Sequence, residues 1–433
     1  MFYITMKTKK LNVRTKQSGV TLIELMVAMA VSSVIMLGVS NIYFSTKKSY
    51  VIHDEFARLQ ENVRYAIETL SVNIRNAGFF GCSSGQGLGN FVNGLNSSNE
   101  SEWNFETGLM GYEAIGTDIG DTKVLTPSTP SADVNDWVTA AGLTSDGVAI
   151  STTPNAAIAN IAIEGSDILV IRTTDGAGIR LLKNNGSNII RVENDGNTGT
   201  CPDSSTKYNG LCQNDILLVS DCSNSRIFQI SGMNTVASAA CDGQSNCLQI
   251  NHAASSTPGN KPSDGVTWNP PGNIFTEDAE IMRVVTKAYF VGVSNGQPTL
   301  FVRENADAPV PLVQGIENMQ ILYGIDTDED GVANQYVSAD NVTDVDGDSD
   351  TVFESVVSIK LSLLVRTPND LPGINRTTAD YANLTYDMVS PASPITIDPI
   401  ETDSTSTDRR LRKVYNLTIK IRNKSFNTAV PVT

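Results

Sequence analysis

The sequence predicts an α+β molecule: a long N-terminal helix, transmembrane then amphipathic, packed on a mainly antiparallel, β-rich globular head. Three observations carry this expectation. A stretch from Val20 to Phe44 is mostly apolar and carries a single charge, a carboxylate. Apolar residues then recur at helical spacing as far as Ile74. Beyond that point, short β-branched runs are separated by turn-forming Gly, Ser, Asn and Asp in a chain poor in aromatics. The expected divisions are a leader over 1–19, a transmembrane half-helix over 20–44, an amphipathic half-helix over 45–76 and an exported head over 77–433.

The leader carries Lys7, Lys9, Lys10, Arg14 and Lys16 and no acid. Positive charge ahead of an apolar span predicts a cytoplasmic leader and an exported C-terminal body. Lys47 and Lys48, just past the span, weaken that bias slightly. Met6 offers a second start, and the sequence does not choose between it and Met1. Without the five leader cations the chain keeps 26 basic against 47 acidic residues. That acidity argues against a broad nucleic-acid surface and against docking on anionic lipid.

From Val20 to Phe44, 19 of 25 residues are apolar or glycine, and Glu24 is the sole charge. Twenty-five helical residues span roughly 37 Å at about 1.5 Å each, enough for a hydrocarbon core of about 30 Å. A carboxylate inside such a span costs about 2.5–3.5 kcal/mol on insertion scales, so Glu24 calls for a partner. The plainer alternative is a signal anchor in which Glu24 is incidental.

Phe56, Leu59, Val63, Ile67, Leu70 and Ile74 continue at steps of three and four, with Glu55, Arg58, Glu61, Arg64 and Glu68 largely between them. This is an amphipathic helix whose apolar stripe faces the head. Gly78 and Gly81 mark its end. Two helices broken near Gly38–Asn41 are the alternative to one continuous helix.

Residues Cys82 to Gly165 read as a loop-rich region. Strands are expected at 167–172, 215–220, 226–230, 288–293, 299–303, 319–323, 355–365 and 414–422. The fourth and fifth make a hairpin around a five-residue connection, 294–298, that contains Asn-Gly.

Six cysteines, Cys82, Cys201, Cys212, Cys222, Cys241 and Cys247, all lie in the exported part, where disulfides persist. An even count fits three bridges, though six cysteines allow fifteen pairings. Proximity favours Cys201–Cys212 and Cys241–Cys247, leaving Cys82 with Cys222. Zinc needs CxxC spacing or histidines, and the chain offers neither.

No catalytic residue stands out. The two histidines, His53 and His252, lie far apart and neither sits beside a nucleophile-elbow pattern. The acidic run is more informative. Asp326, Asp328 and Asp330 alternate ahead of Gly331, followed by Val332 and Asn334. Oxygen ligands at the first, third and fifth places, a glycine turn and a Val332 carbonyl open an EF-hand-like calcium loop. The twelfth place holds Val337 where the loop needs a bidentate Glu; Asp344, Asp346, Asp348 and Asp350 follow at steps of two and could replace it. A solvated acidic loop is the competing reading.

Gly19-Val20-Thr21-Leu22-Ile23-Glu24-Leu25 resembles the processing site of type IV prepilins. The resemblance implies that a membrane peptidase cuts between Gly19 and Val20 and methylates the freed Val20 amine. It also implies that Glu24 meets the N-terminal amine of a neighbouring subunit. Gly111-Tyr112-Glu113-Ala114, the run Asp215 to Cys222, the run Gly315 to Asp326, and Arg409 to Val414 with Arg422-Asn423 are similar to the PilW family of type IV pilus minor pilins. What this implies is a structural protein, not an enzyme, that helps initiate pilus assembly; the large acidic head, bulky for a repeating subunit, points to low copy number at the tip. Its expected partners are the prepilin peptidase and, through the helix, other minor and major pilins. Its expected path is the inner membrane, with the head in the periplasm, and then the pilus. A tip adhesin or uptake-binding module is the alternative function, and a type II secretion pseudopilin a near variant.

Overall fold

The computed structural model describes residues 19–423 apart from 82–90, 126–128, 143–147, 188, 222–224, 238, 240, 242, 255–257, 262–274, 276–278, 329, 344–351, 372–384, 390–394 and 399–408. The basic leader, Cys82, Cys222 and the Asp344–Asp350 run therefore lie outside the described residues. The chain divides into two compact units, before and after Glu55.

Leu22–Arg75 is one helix of 54 residues, with no break between Gly38 and Asn41. It is long and apolar enough to cross a membrane, and none of its apolar window is buried. Within the second unit, Leu59, Val63, Ala66, Leu70 and Ile74 are buried in the main core. Phe56 and Ile67 are only half-buried. The sequence pattern sets Glu55 among the polar positions, yet it is buried. Its carboxylate accepts from the Asn369 amide nitrogens, at 3.2 Å from the backbone and 2.8 Å from Nδ2. Two amide donors satisfy a carboxylate that hydrophobic patterning alone would send to water. The helix closes against the far end of the chain, where Arg422 N–H donates to the Arg75 carbonyl at 3.2 Å.

Among the described residues the head holds a large sheet of twelve strands and a four-stranded sheet, with two smaller ones. Ile168–Ser187 and Glu280–Ser294 pair antiparallel at the middle of the large sheet. The four-stranded sheet runs Gln335–Val337, Ile316–Ile325, Val356–Arg366, Arg412–Lys420, all antiparallel. Parallel pairing is confined to Phe91–Asn93 with Ser225–Gln229 and Ile395–Asp398 with Thr122–Val124. Ile316–Ile325 is buried along its whole length, consistent with a central strand covered on both faces.

Two expectations need correction. The hairpin connection is two residues, not five: Ser294 pairs with Gln297, and Asn295 and Gly296 both have positive φ, at 53° and 70°. An Asn-Gly pair left-handed at both positions makes a two-residue turn whose twist matches the strands, so pairing runs up to the turn. The stretch read as loop-rich also contributes strands, above all the fully buried Leu109–Ala114, which pairs with Ile168–Ser187. Its two glutamate- and glycine-bearing positions hid it from a search for β-branched runs.

Candidate functional site

Two places concentrate unusual chemistry. The first is the start of the helix. Gly19 and Val20 are exposed, and the helix begins two residues after Val20. Thr21 N–H and Thr21 Oγ1 lie 3.1 and 3.0 Å from Glu24 Oε2, and Glu24 N–H donates to Thr21 Oγ1 at 3.3 Å. This reciprocal pattern is a capping box, in which Thr21 and Glu24 satisfy each other's orphan backbone donors. Sequence reasoning treated Glu24 as wholly in need of an outside partner. The Thr-x-x-Glu spacing was the signal for the local one.

The second is a joint between the two larger sheets. Asp167, fully buried, accepts from Ala114 N–H at 3.1 Å and from Ile321 N–H at 2.7 Å. One side chain thus ties a strand of the large sheet to the centre of the four-stranded sheet. Ser166 sits beside it, with Oγ 3.0 Å from Met319 N. Glu113 lies in the same pocket of the core, with Thr117 Oγ1 at 3.0 Å and Ala339 N at 3.4 Å. Gly111 has no side chain because Tyr323 occupies the space: a Cβ there would lie 1.7 Å from the Tyr323 hydroxyl. Across the four-stranded sheet, Glu317 takes two buried arginines. Arg366 Nη1 donates at 2.8 Å, and Arg412 donates through Nε at 2.6 Å and Nη2 at 2.8 Å. Sequence reasoning missed Glu113, Asp167, Glu317 and Arg366 as a group. It also missed Arg172, which lies buried and donates to the Thr107 and Ser101 carbonyls at 3.1 and 2.6 Å.

Residues 14–40 match the family model of the prokaryotic N-terminal methylation motif, and residues 288–423 match that of type IV pilus-assembly protein W, PilW. In these two segments the chain is similar to pilin-like proteins of the PilW family. No curated protein matches the chain significantly. Among solved structures, a type IV-like pilin from Thermus thermophilus is similar over 50% of this chain and 87% of its own, at 14% identity and a TM-score of 0.17. A likeness that slight carries no argument, and the fold described above rests on the chain's own strands and helix.

The PilW segment contains Glu317, Tyr323, Arg366, Arg412 and the acidic loop. Their counterparts Gly111, Glu113 and Asp167 come from the chain before it, as does the run Asp215 to Cys222. PilW proteins are typically structural, and the family points to a non-enzyme.

The acidic loop joins Ile316–Ile325 to Gln335–Val337. Carboxylate oxygens of Asp326, Asp328 and Asp330 lie within 4.8 Å of one another. Asp326 is buried and accepts from Gly331 N–H at 2.8 Å, where Gly331 has φ +80°. Asn334 is exposed and bonds within the loop, its Oδ1 accepting from Thr327 N–H at 2.6 Å and its Nδ2 3.3 Å from Asp328 Oδ1. Val332 is exposed. Of the cysteines, Cys201 bonds Cys212 and Cys241 bonds Cys247, at Cα separations of 5.8 and 5.5 Å. These are the two pairs that proximity favours. Bridges of this kind typically contribute about 2–4 kcal/mol.

Proposed function

We propose that this chain is a minor pilin that takes part in starting or capping a type IV pilus, low in copy and placed at the tip. On this reading the leader stays in the cytoplasm, the helix anchors the chain in the inner membrane, and the head is exported. A prepilin peptidase cuts between Gly19 and Val20 and methylates the new amine. The observation that carries the reading is the helix start: an exposed Gly19–Val20 junction followed at once by an apolar stretch, to Phe44, whose one acid is Glu24. A second observation supports contact with other pilins. Tyr65 and Val72, seven residues apart on the outward face of the head-side helix, are 54% and 50% exposed. A repeat of seven keeps two residues on one helical seam, the spacing that helix–helix packing uses.

Cleavage leaves Val20 one residue ahead of the Thr21–Glu24 cap. Glu24 then has two roles to fill, capping its own helix and neutralising the amine of an adjacent subunit. Glu24→Ala and Glu24→Gln separate them, because Gln keeps the capping geometry and loses the charge. Both variants are expected to be processed normally and to be depleted from sheared pili, as read by immunoblot of membrane and pilus fractions. Wild-type incorporation of Glu24→Gln contradicts the charge role.

We further propose that the acidic loop takes calcium through Asp326, Asp328, Asp330, the Val332 carbonyl and Asn334. The support is the alternation of oxygen ligands around the Gly331 turn. Loops of this extracellular kind bind with Kd of about 10⁻⁴–10⁻³ M. Millimolar calcium is then expected to stabilise the protein by about 0.4–1.4 kcal/mol, read as a higher Tm than in chelator. The gain should vanish in the Asp328→Ala, Asp330→Ala double variant. A wild-type Tm indifferent to calcium contradicts the site.

A further inference from the structure

The Glu113–Asp167 pair does more than fasten two sheets. Both carboxyls are buried, at 2% and 1% exposure. Neither enters an ion pair among the described residues. The acids Asp118 and Asp340, the second from the turn Ala339–Asn341, face the pair, and the Tyr323 hydroxyl from Ile316–Ile325 looks into the same space. Two uncompensated negative charges at such a place are costly, and a buried carboxyl in that position neutralises instead.

The hydrogen-bond geometry says which carboxyl holds the proton. Asp167 receives a backbone N–H on each oxygen, from Ala114 and from Ile321. That is the environment of a carboxylate. Thr117 Oγ1 has one hydrogen and two neighbouring oxygens, the Ala114 carbonyl at 2.6 Å and Glu113 Oε1 at 3.0 Å. A carbonyl only accepts. The Thr117 hydrogen therefore goes to Ala114, and the Glu113 contact is complete only if Glu113 donates.

We propose that Glu113 and Asp167 form a proton-held clamp between the two sheets, with the proton on Glu113 and the negative charge on Asp167. Ionising Glu113 places a second charge in the core, breaks its bond to Thr117 Oγ1 and loosens the contact of Leu109–Ala114 with Ile316–Ile325. The clamp is thus tight in mild acid and slack in alkali, a proton-linked device independent of the assembly reading.

Burial raises both carboxyls above the ordinary range; repulsion from Asp167 adds to it at Glu113, whereas the two backbone N–H donors pull Asp167 back down. A folded-state value raised above the unfolded one, about 4, contributes stability that is fully present below about pH 4. That stability is lost as the pH rises through the folded value. Other carboxylates, held low by hydrogen bonds, act in the opposite sense, so the clamp is isolated by a variant. In Glu113→Gln the side-chain NH₂ donates to Thr117 Oγ1 and the carbonyl accepts from Ala339, reproducing the protonated acid without titration.

The experiment uses the full chain in detergent. Infrared difference spectra of the folded wild type at neutral pH are expected to show the C=O stretch of a protonated carboxylic acid, absent in Glu113→Gln. The Tm of Glu113→Gln is expected to match wild type at pH 5 and to exceed it at pH 9. Absence of the acid band in folded wild type overturns the clamp, whether or not the variant folds. So does a Tm difference between the two proteins that stays constant from pH 5 to 9.

Discussion

Replacing Glu317 with alanine is expected to cost the head about 3–5 kcal/mol, the range found when one partner of a buried ion pair is removed. Glu317 is fully buried, and its two arginine partners have side chains only 4% and 5% exposed. The carboxylate joins three strands that lie side by side, Ile316–Ile325, Val356–Arg366 and Arg412–Lys420. Arg366 also reaches Gln297 Oε1 at 3.1 Å, at the head of the neighbouring hairpin. Removing Glu317 takes the opposite charge from two guanidinium groups in a place water reaches poorly. The measurement is denaturant unfolding of the detergent-solubilised protein. A loss below about 1 kcal/mol, the scale of an exposed pair, shows that the triad is not buried as described.

The second large effect is expected at Gly111. An added Cβ would lie 1.7 Å from the Tyr323 hydroxyl and 2.4 Å from its Cζ, and both residues are buried. Tyr323 has no easy retreat, because its ring packs edge-on against Phe353 at 5.3 Å. Overpacking of this kind typically costs about 1–3 kcal/mol, and Gly111→Ala belongs at the top of that range. Tyr323→Phe removes the nearest atom of the clash. The double variant is expected to be less destabilised than the two single variants together, since residues in contact are not additive. Strict additivity contradicts the contact.

The parts of this fold that read from sequence are those governed by local rules. The helix from Leu22 to Arg75 follows from its apolar content and then from steps of three and four. The strands at 216–220, 316–325 and 356–366 follow from dense β-branched and aliphatic runs. The two bridges lie between cysteines six and eleven residues apart. What did not read depends on residues brought together over long separations. Glu317 and Arg412 are 95 apart in sequence, and Asp167 and Ile321 are 154 apart. No spacing rule reaches that far. Gly111 and Tyr323 each stand inside a motif similar to the PilW family, but only the folded packing shows that one makes room for the other. Glu55 is instructive in the same way: the pattern sets it among the polar positions, and only the distant Asn369 satisfies its buried carboxylate. Glu24 shows the reverse error. Its cap lies three residues away and was legible, but the charge drew attention outward.

The most direct test of the assembly account is the mass of the N-terminal peptide of the protein isolated from cells that carry an active prepilin peptidase. The account predicts a chain that begins at Val20 with a methylated amine, and precursor accumulation when Gly19 is replaced by a bulky residue. A chain that retains residues 1–19 in those cells contradicts it.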